Sequence, residues 1–163
     1  MALKLAVVLI LAAVFFLAVY KNITPPDAIG LQDGRLRPLP ARPNAVSSQT
    51  DDHARQVAPL PFCGNLETTR GALLAAIRSY PGRVEITTET PSYLHCVFTT
   101  RTLRFRDDVE FLLDEKSGLV HFRSASRIGY SDLGANRRRY ETLAGLYRQK
   151  TQGPAAACAP PSP

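Results

Sequence analysis

Between Arg123 and Arg139 the chain places five arginines, one aspartate and one asparagine within seventeen residues. Guanidinium groups at that density either pair with internal carboxylates or hold an external anion, since each offers a fork of donors that fits an oxyanion. The side chains that could build an anion or partner site are Arg123, Arg127, Ser131, Asn136, Arg137 and Arg139. Backbone amides exposed at a helix start between Ser131 and Gly134 would strengthen such a seat. The carboxylates that could instead neutralise the arginines lie just upstream, at Asp107, Asp108 and Glu110.

Other chemistry is sparse. The three histidines (His53, His95, His121) and three cysteines (Cys63, Cys96, Cys158) show no C-x-x-C or H-x-x-x-H spacing, so no metal and no cofactor is expected. His95 and Cys96 are adjacent on a predicted strand, which turns them to opposite faces. A Cys63–Cys96 disulfide would suit an oxidising compartment and leave Cys158 unpaired in the tail. No glycine-rich phosphate loop or nucleophile elbow is present.

The elements that must position these residues follow from patterning. Leu5 to Tyr20 is an unbroken apolar run of sixteen residues, flanked by Lys4 and Lys21. It reads as one N-terminal transmembrane helix, an uncleaved anchor over 1–21, since no A-x-A-like small-residue site follows it, with a removed signal peptide as the alternative. Lysines on both sides leave the charge bias nearly flat, and the free amino terminus favours a short cytoplasmic tail. Seven prolines between Asn22 and Pro61 break any period, so an extended tether is expected, shortened to 22–42 by the resemblance described below. The Ala/Pro-rich stretch 151–163 reads as a disordered tail.

Asn65 can cap a helix from Leu66 to Tyr80 that Pro81-Gly82 stops. Alternation then predicts strands over Arg83 to Thr90, Tyr93 to Thr100, Leu103 to Leu113 and Leu119 to Ser126, with a turn at Glu115-Lys116-Ser117-Gly118. A second helix is expected from about Asp132 to Gln149, capped by Ser131 or Asp132. The fold expected is α+β, a single antiparallel sheet of about four strands packed with two helices. Closing the hairpin sets Leu113 opposite Val120, Phe111 opposite Phe122, and Glu110 opposite Arg123, with Asp108 between Arg123 and Arg127. Asp107 falls on the apolar face and needs a partner there, which Ser126, Asn136 or Arg137 could supply, unless a bulge turns it outward. On a helical wheel, Leu133, Tyr140, Leu143, Ala144 and Tyr147 form the buried face and include Asn136. Arg137 borders that face, Arg138 points away, and Arg139 lies sideways beside Leu146.

Four blocks resemble one family: Pro43-Asn44-Ala45-Val46-Ser47-Ser48, Ala58-Pro59-Leu60-Pro61, Phe105 to Phe111, and Arg123 to Arg139. They look like the domain-of-unknown-function 1499 family, found in bacteria and plastid-bearing lineages, for which no activity is established. The resemblance implies a domain over 43–150. It also marks a departure, since Ala45 stands where the family usually carries cysteine.

The formal charge of +6 is concentrated toward the C-terminal part of that domain. An exported domain meets no nucleic acid, so anionic lipid, a wall polymer or an acidic partner surface fits this charge better. Three readings follow. The first is a membrane-tethered, exported interaction module, an accessory subunit or assembly factor of an envelope complex. It would be single-pass in a bacterial inner membrane, with its domain on the periplasmic side and an integral-membrane or periplasmic protein as partner. The second is a small binding domain for an anionic ligand or lipid headgroup, favoured by an apolar pocket beside Arg127. The third is a hydrolase using Asp107 or Asp108, which requires a cleft holding a carboxyl of raised pKa.

Overall fold

The computed structural model describes residues 1–152, so Cys158 and nearly all of the expected tail lie outside the described residues. Helix α1 spans Ala2–Ile23 and buries none of its side chains in the protein. Its 22 residues make it long and apolar enough to cross a membrane. Such a helix runs about 33 Å, against a hydrocarbon core of about 30 Å.

Two sheets follow, not one of four strands. A small hairpin pairs β1 (Leu31–Gln32) with β2 (Arg35–Leu36). The main sheet has six strands: β3 (Ala45–Ser47), β4 (Leu60–Pro61), β5 (Arg83–Glu89), β6 (Tyr93–Thr99), β7 (Arg106–Asp114) and β8 (Leu119–Ser126). They run in the order β3-β8-β7-β6-β5, with β4 also pairing β8. The strands missing from the sequence reading are two or three residues long and lie in proline-rich segments, where no alternation can register. The hairpin register matches expectation: Leu113 faces Val120, Phe111 faces Phe122 and Glu110 faces Arg123.

Helix α2 (Leu66–Arg78) begins where expected, with Asn65 accepting from the Thr68 amide at 2.9 Å. Helix α3 (Ala135–Thr151) starts three residues later than expected. Asp132 explains the delay: its carboxylate accepts from the amides of Gly134 and Asn136, so it sits before the helix and caps it from outside. Both helices pack on one face of the sheet. Leu73 and Ile77 of α2 and Leu143 and Tyr147 of α3 meet Val109, Phe111, Leu113, Val120 and Phe122 in one core. Each such side chain, fully buried, contributes about 1.5–3 kcal/mol.

The opposite face carries the polar positions of β7, yet it is also buried. Asp108, Glu110 and Arg123 are 1%, 0% and 3% exposed. The proline-rich segment covers this outer face: Gly30 donates its amide to Glu110, and Leu36 packs with Tyr93 and Leu112. Burial of those charges forces every one of them into a pair.

The β7 strand starts at Arg106 rather than Leu103. Arg104 adopts a left-handed conformation (φ 53°), which breaks the run and leaves Leu103 and Phe105 in an exposed turn. Cys63 is disulfide-bonded, but Cys96 is a free, buried thiol, so the Cys63–Cys96 bridge does not form.

Candidate functional site

The arginine-rich segment divides between the two faces of the sheet because β8 alternates and α3 returns over one face only. On the outer face, Arg127 grips Asp108 with two bonds, Nε to Oδ2 at 2.9 Å and Nη2 to Oδ1 at 2.8 Å. The remaining guanidinium nitrogen, Nη1, donates to the carbonyls of Asn22 and Ile23 at 3.3 and 3.1 Å. Those carbonyls end helix α1, where the backbone dipole favours a cation and the last C=O groups lack helical partners. Asn22 completes the joint. Its amide nitrogen donates to the Arg104 carbonyl at 3.0 Å, and its oxygen accepts from the Arg106 amide at 2.8 Å. Arg127 is therefore a clamp between the apolar helix and the centre of the sheet.

Beside it, Arg123 donates to Glu110 at 2.5 Å, and Tyr93 and the Gly30 amide bond the other Glu110 oxygen at 2.7 Å each. Asp108 also meets His95 Nε2 at 2.9 Å, and His95 Nδ1 meets the Thr87 hydroxyl at 2.6 Å. Burial pushes the Asp108 carboxyl up, but the bonds from His95 and Arg127 outweigh it and hold its pKa below the ordinary value.

A hydroxyl–imidazole–carboxylate chain of this order activates nucleophiles in hydrolases. Here Arg127 engages both oxygens of the carboxylate, and the Thr87 hydroxyl also bonds the carbonyl of His95 at 3.1 Å. The chain reads as a means of satisfying a buried histidine. The sequence reading missed His95 as a partner of Asp108. The signal lay in the register, since His95 faces Glu110 and Asp108 is the next outward position on β7.

On the helix face, Arg139 is buried and pairs with Asp107, donates to Asn136 and Ser124 at 2.5 and 3.0 Å, and lies over the Phe98 ring at 5.2 Å. Arg139 points inward rather than sideways, and Asp107 bonds Ser126, one of the three partners expected for it, together with Arg139, which was not among them. Arg139 lies three residues after Asn136 and four before Leu143, which puts all three on one stripe. No bulge turns Asp107 outward, because its register with Ser126 is continuous. Asn136 bonds the Asn44 carbonyl, the Ser126 hydroxyl and Asp132 at 2.9, 3.0 and 2.8 Å. Asn44 in turn donates to the Gly129 carbonyl, which ties down the loop between β8 and α3. Burial pushes the Asp107 carboxyl up despite Arg139 and Ser126. That direction matches the enzyme reading, but Asp107 is 2% exposed and closed off beneath α3.

The other candidates are engaged as well. Arg137 donates to the carbonyls of Ala54 and Gln56, and Arg138 to that of Leu133. Ser131 accepts from the Leu133 amide, and Asp132 takes those of Gly134 and Asn136. The amides expected to seat an external anion thus meet side chains of their own loop. Cys96 is no nucleophile either, since burial and then Glu89 push its thiol up to about 12.

Two concave surfaces lie at opposite ends of the sheet. A cavity of about 310 Å³ beside Arg127 is walled by Pro26, Ala28, Pro40, Arg42 and Ala125. Asp108 and Glu110 neutralise Arg127 and Arg123 there, which leaves Arg42 as the lining cation without a carboxylate partner among the described residues. A groove of about 520 Å³ at the far end is lined by Leu66, Pro91, Glu67, Glu89 and Glu115 with Arg70.

Comparison with known proteins gives one match. The family model described as a protein of unknown function, DUF1499, fits residues 35–146. No curated protein and no solved structure matches the chain.

Proposed function

The chain belongs to the DUF1499 family, and on that footing we propose that it is a membrane-tethered interaction module. Helix α1 anchors it as a single pass in a bacterial inner membrane, with the folded domain on the periplasmic side. It serves there as an accessory subunit or assembly factor for an integral-membrane or periplasmic partner. The observation that supports this reading most is the joint at the end of α1. Asn22, Arg127 and Arg106 join that end to the sheet through five hydrogen bonds: two made by the Asn22 side chain, one from Arg127 to the Asn22 carbonyl, and one each from Arg127 and Arg106 to the Ile23 carbonyl. A domain that needed only retention at a membrane could hang from a free linker. A domain that must meet a membrane partner in one orientation gains from a fixed joint, because orientation settled in advance lowers the entropy lost on binding.

The groove between Glu67, Glu89 and Glu115 lies at the end of the sheet away from α1, where a partner can reach it. Leu66 and Pro91 line it, Glu89 is paired with Arg70, and the remaining acids Glu67 and Glu115 suit a basic segment. Tagged full-length protein, solubilised from native membranes in mild detergent, tests the proposal. The wild type should recover a defined partner. A variant with Glu67 and Glu115 changed to lysine, and one with Asn22→Ala and a flexible insertion after Thr24, should each lose most of it. Equal recovery by all three, or recovery of nothing specific by the wild type, defeats the reading.

A further inference from the structure

Among the described residues after α1, five large apolar side chains are exposed, and four of them sit at the end of the domain from which α1 departs. Leu103 and Phe105, at 64% and 39% exposure, lie in the turn whose Arg104 carbonyl bonds Asn22. Tyr130 and Leu133, at 76% and 84%, lie in the loop that follows Arg127, whose guanidinium holds the last carbonyls of α1. The cations Lys21, Arg101, Arg104 and Arg138 are exposed around them, and Arg106 reaches the Ile23 carbonyl. Of the acids near this end, Asp27 is exposed, Asp132 is occupied by its own loop amides, and Asp107 and Asp108 are buried in ion pairs.

From this juxtaposition we propose that the α1 end of the domain is a membrane-docking face that rests on anionic phospholipid. Leu103, Phe105, Tyr130 and Leu133 enter the boundary between headgroups and acyl chains, and Arg101, Arg104 and Arg138 meet lipid phosphates. The proposal rests on reading α1 as a membrane anchor, and continuity with that helix selects the bilayer as occupant. The joint at Asn22 and Arg127 holds both loops next to the point where α1 would enter the membrane. The mixture also has the composition of an interfacial surface: aromatic and aliphatic side chains for the boundary layer, with arginines beside them for anionic headgroups. In water those apolar groups would remain exposed without return. Against a bilayer they bury their area and help set the tilt of the domain.

The chain contains no tryptophan, so a single introduced one reports its own position. Full-length Leu103→Trp, Leu133→Trp, Glu115→Trp and Leu11→Trp variants would be reconstituted in nanodiscs of phosphatidylcholine and phosphatidylglycerol. A fraction of the lipid would be brominated, either near the glycerol or deep in the acyl chain. Leu11→Trp should be quenched by deep bromine. Leu103→Trp and Leu133→Trp should be blue-shifted and quenched by shallow bromine, while Glu115→Trp at the far end is not. The loop quenching should weaken when phosphatidylglycerol is omitted or Arg104 and Arg138 become glutamate. If the two loop reporters behave like Glu115→Trp while Leu11→Trp is quenched, the docking face is refuted and the anchor stands. An unquenched Leu11→Trp removes the anchor and the docking face together. Loop quenching that ignores phosphatidylglycerol and both charge reversals overturns the role of the headgroups.

Discussion

Asp107 and Asp108 are neighbours in sequence, yet the pleat sends them to opposite faces, where burial is settled in opposite ways. Asp108 has His95 and Arg127 and stays below the ordinary carboxylate pKa, while burial holds Asp107 above it even with Arg139 beside it. A raised pKa means that the folded state binds the proton more tightly than the unfolded chain. The stabilising contribution of Asp107 is therefore complete below its unfolded value and is lost as pH rises through the folded one. For such a pair, removing one partner and removing both have different costs. Arg139→Met alone should destabilise the domain by about 3–5 kcal/mol, because it leaves a buried carboxylate uncompensated. Asp107→Leu with Arg139→Met should return most of that loss, and its stability relative to wild type should improve as pH rises from 4 towards neutrality. Urea unfolding of the full-length protein in detergent, followed by far-ultraviolet circular dichroism, measures both. The pairing of Arg123 with Glu110 was legible in the hairpin register alone. Arg139 was not, because on the wheel it falls beside Leu146, at the edge of the stripe that Asn136 and Leu143 define.

At the scale of elements, the long and strongly patterned pieces were legible: α1, α2, the four main strands and α3. The rest was not. β1 to β4 are too short for a period, and β3 and β4 owe their existence to partners distant in sequence, as when Ala45 pairs Ala125 and Leu60 pairs Val120. The charged alternation of β7 reads as a solvent face, and only the fold shows that residues 24–42 lie across it. Leu36 is the apolar peg of that cover, 5% exposed against Tyr93 and Leu112. Leu36→Ala should cost about 2 kcal/mol by the usual range for truncated core leucines. The effect should also be local. Limited proteolysis should cut within 24–42 in the variant under conditions where the wild type resists, while amides of β7 and β8 keep their hydrogen-exchange protection. Equal proteolysis of the two proteins would show that this segment is held by something other than its apolar contact.

At the scale of the whole molecule, the domain is polarised along its strands, with arginines and exposed apolar loops where α1 departs and a glutamate-rimmed groove at the other end. That polarity acquires a direction in space only because the joint at Asn22 and Arg127 ties helix to sheet. If a membrane partner is met in one orientation, the face that α1 presents inside the bilayer must be in register with the face that the domain presents outside. Inserting one alanine between Tyr20 and Lys21 leaves the joint intact and rotates the upstream helix by about 100° relative to the domain. Inserting four turns it by about 400°, which returns nearly the same face one turn further along. Partner recovery should therefore fall with one or two inserted alanines and rise again with four, while expression and thermal unfolding stay at wild-type values. A monotonic decline with insertion length would point to depth rather than orientation. No change at all would mean that α1 serves as a tether and that the fixed joint has another purpose.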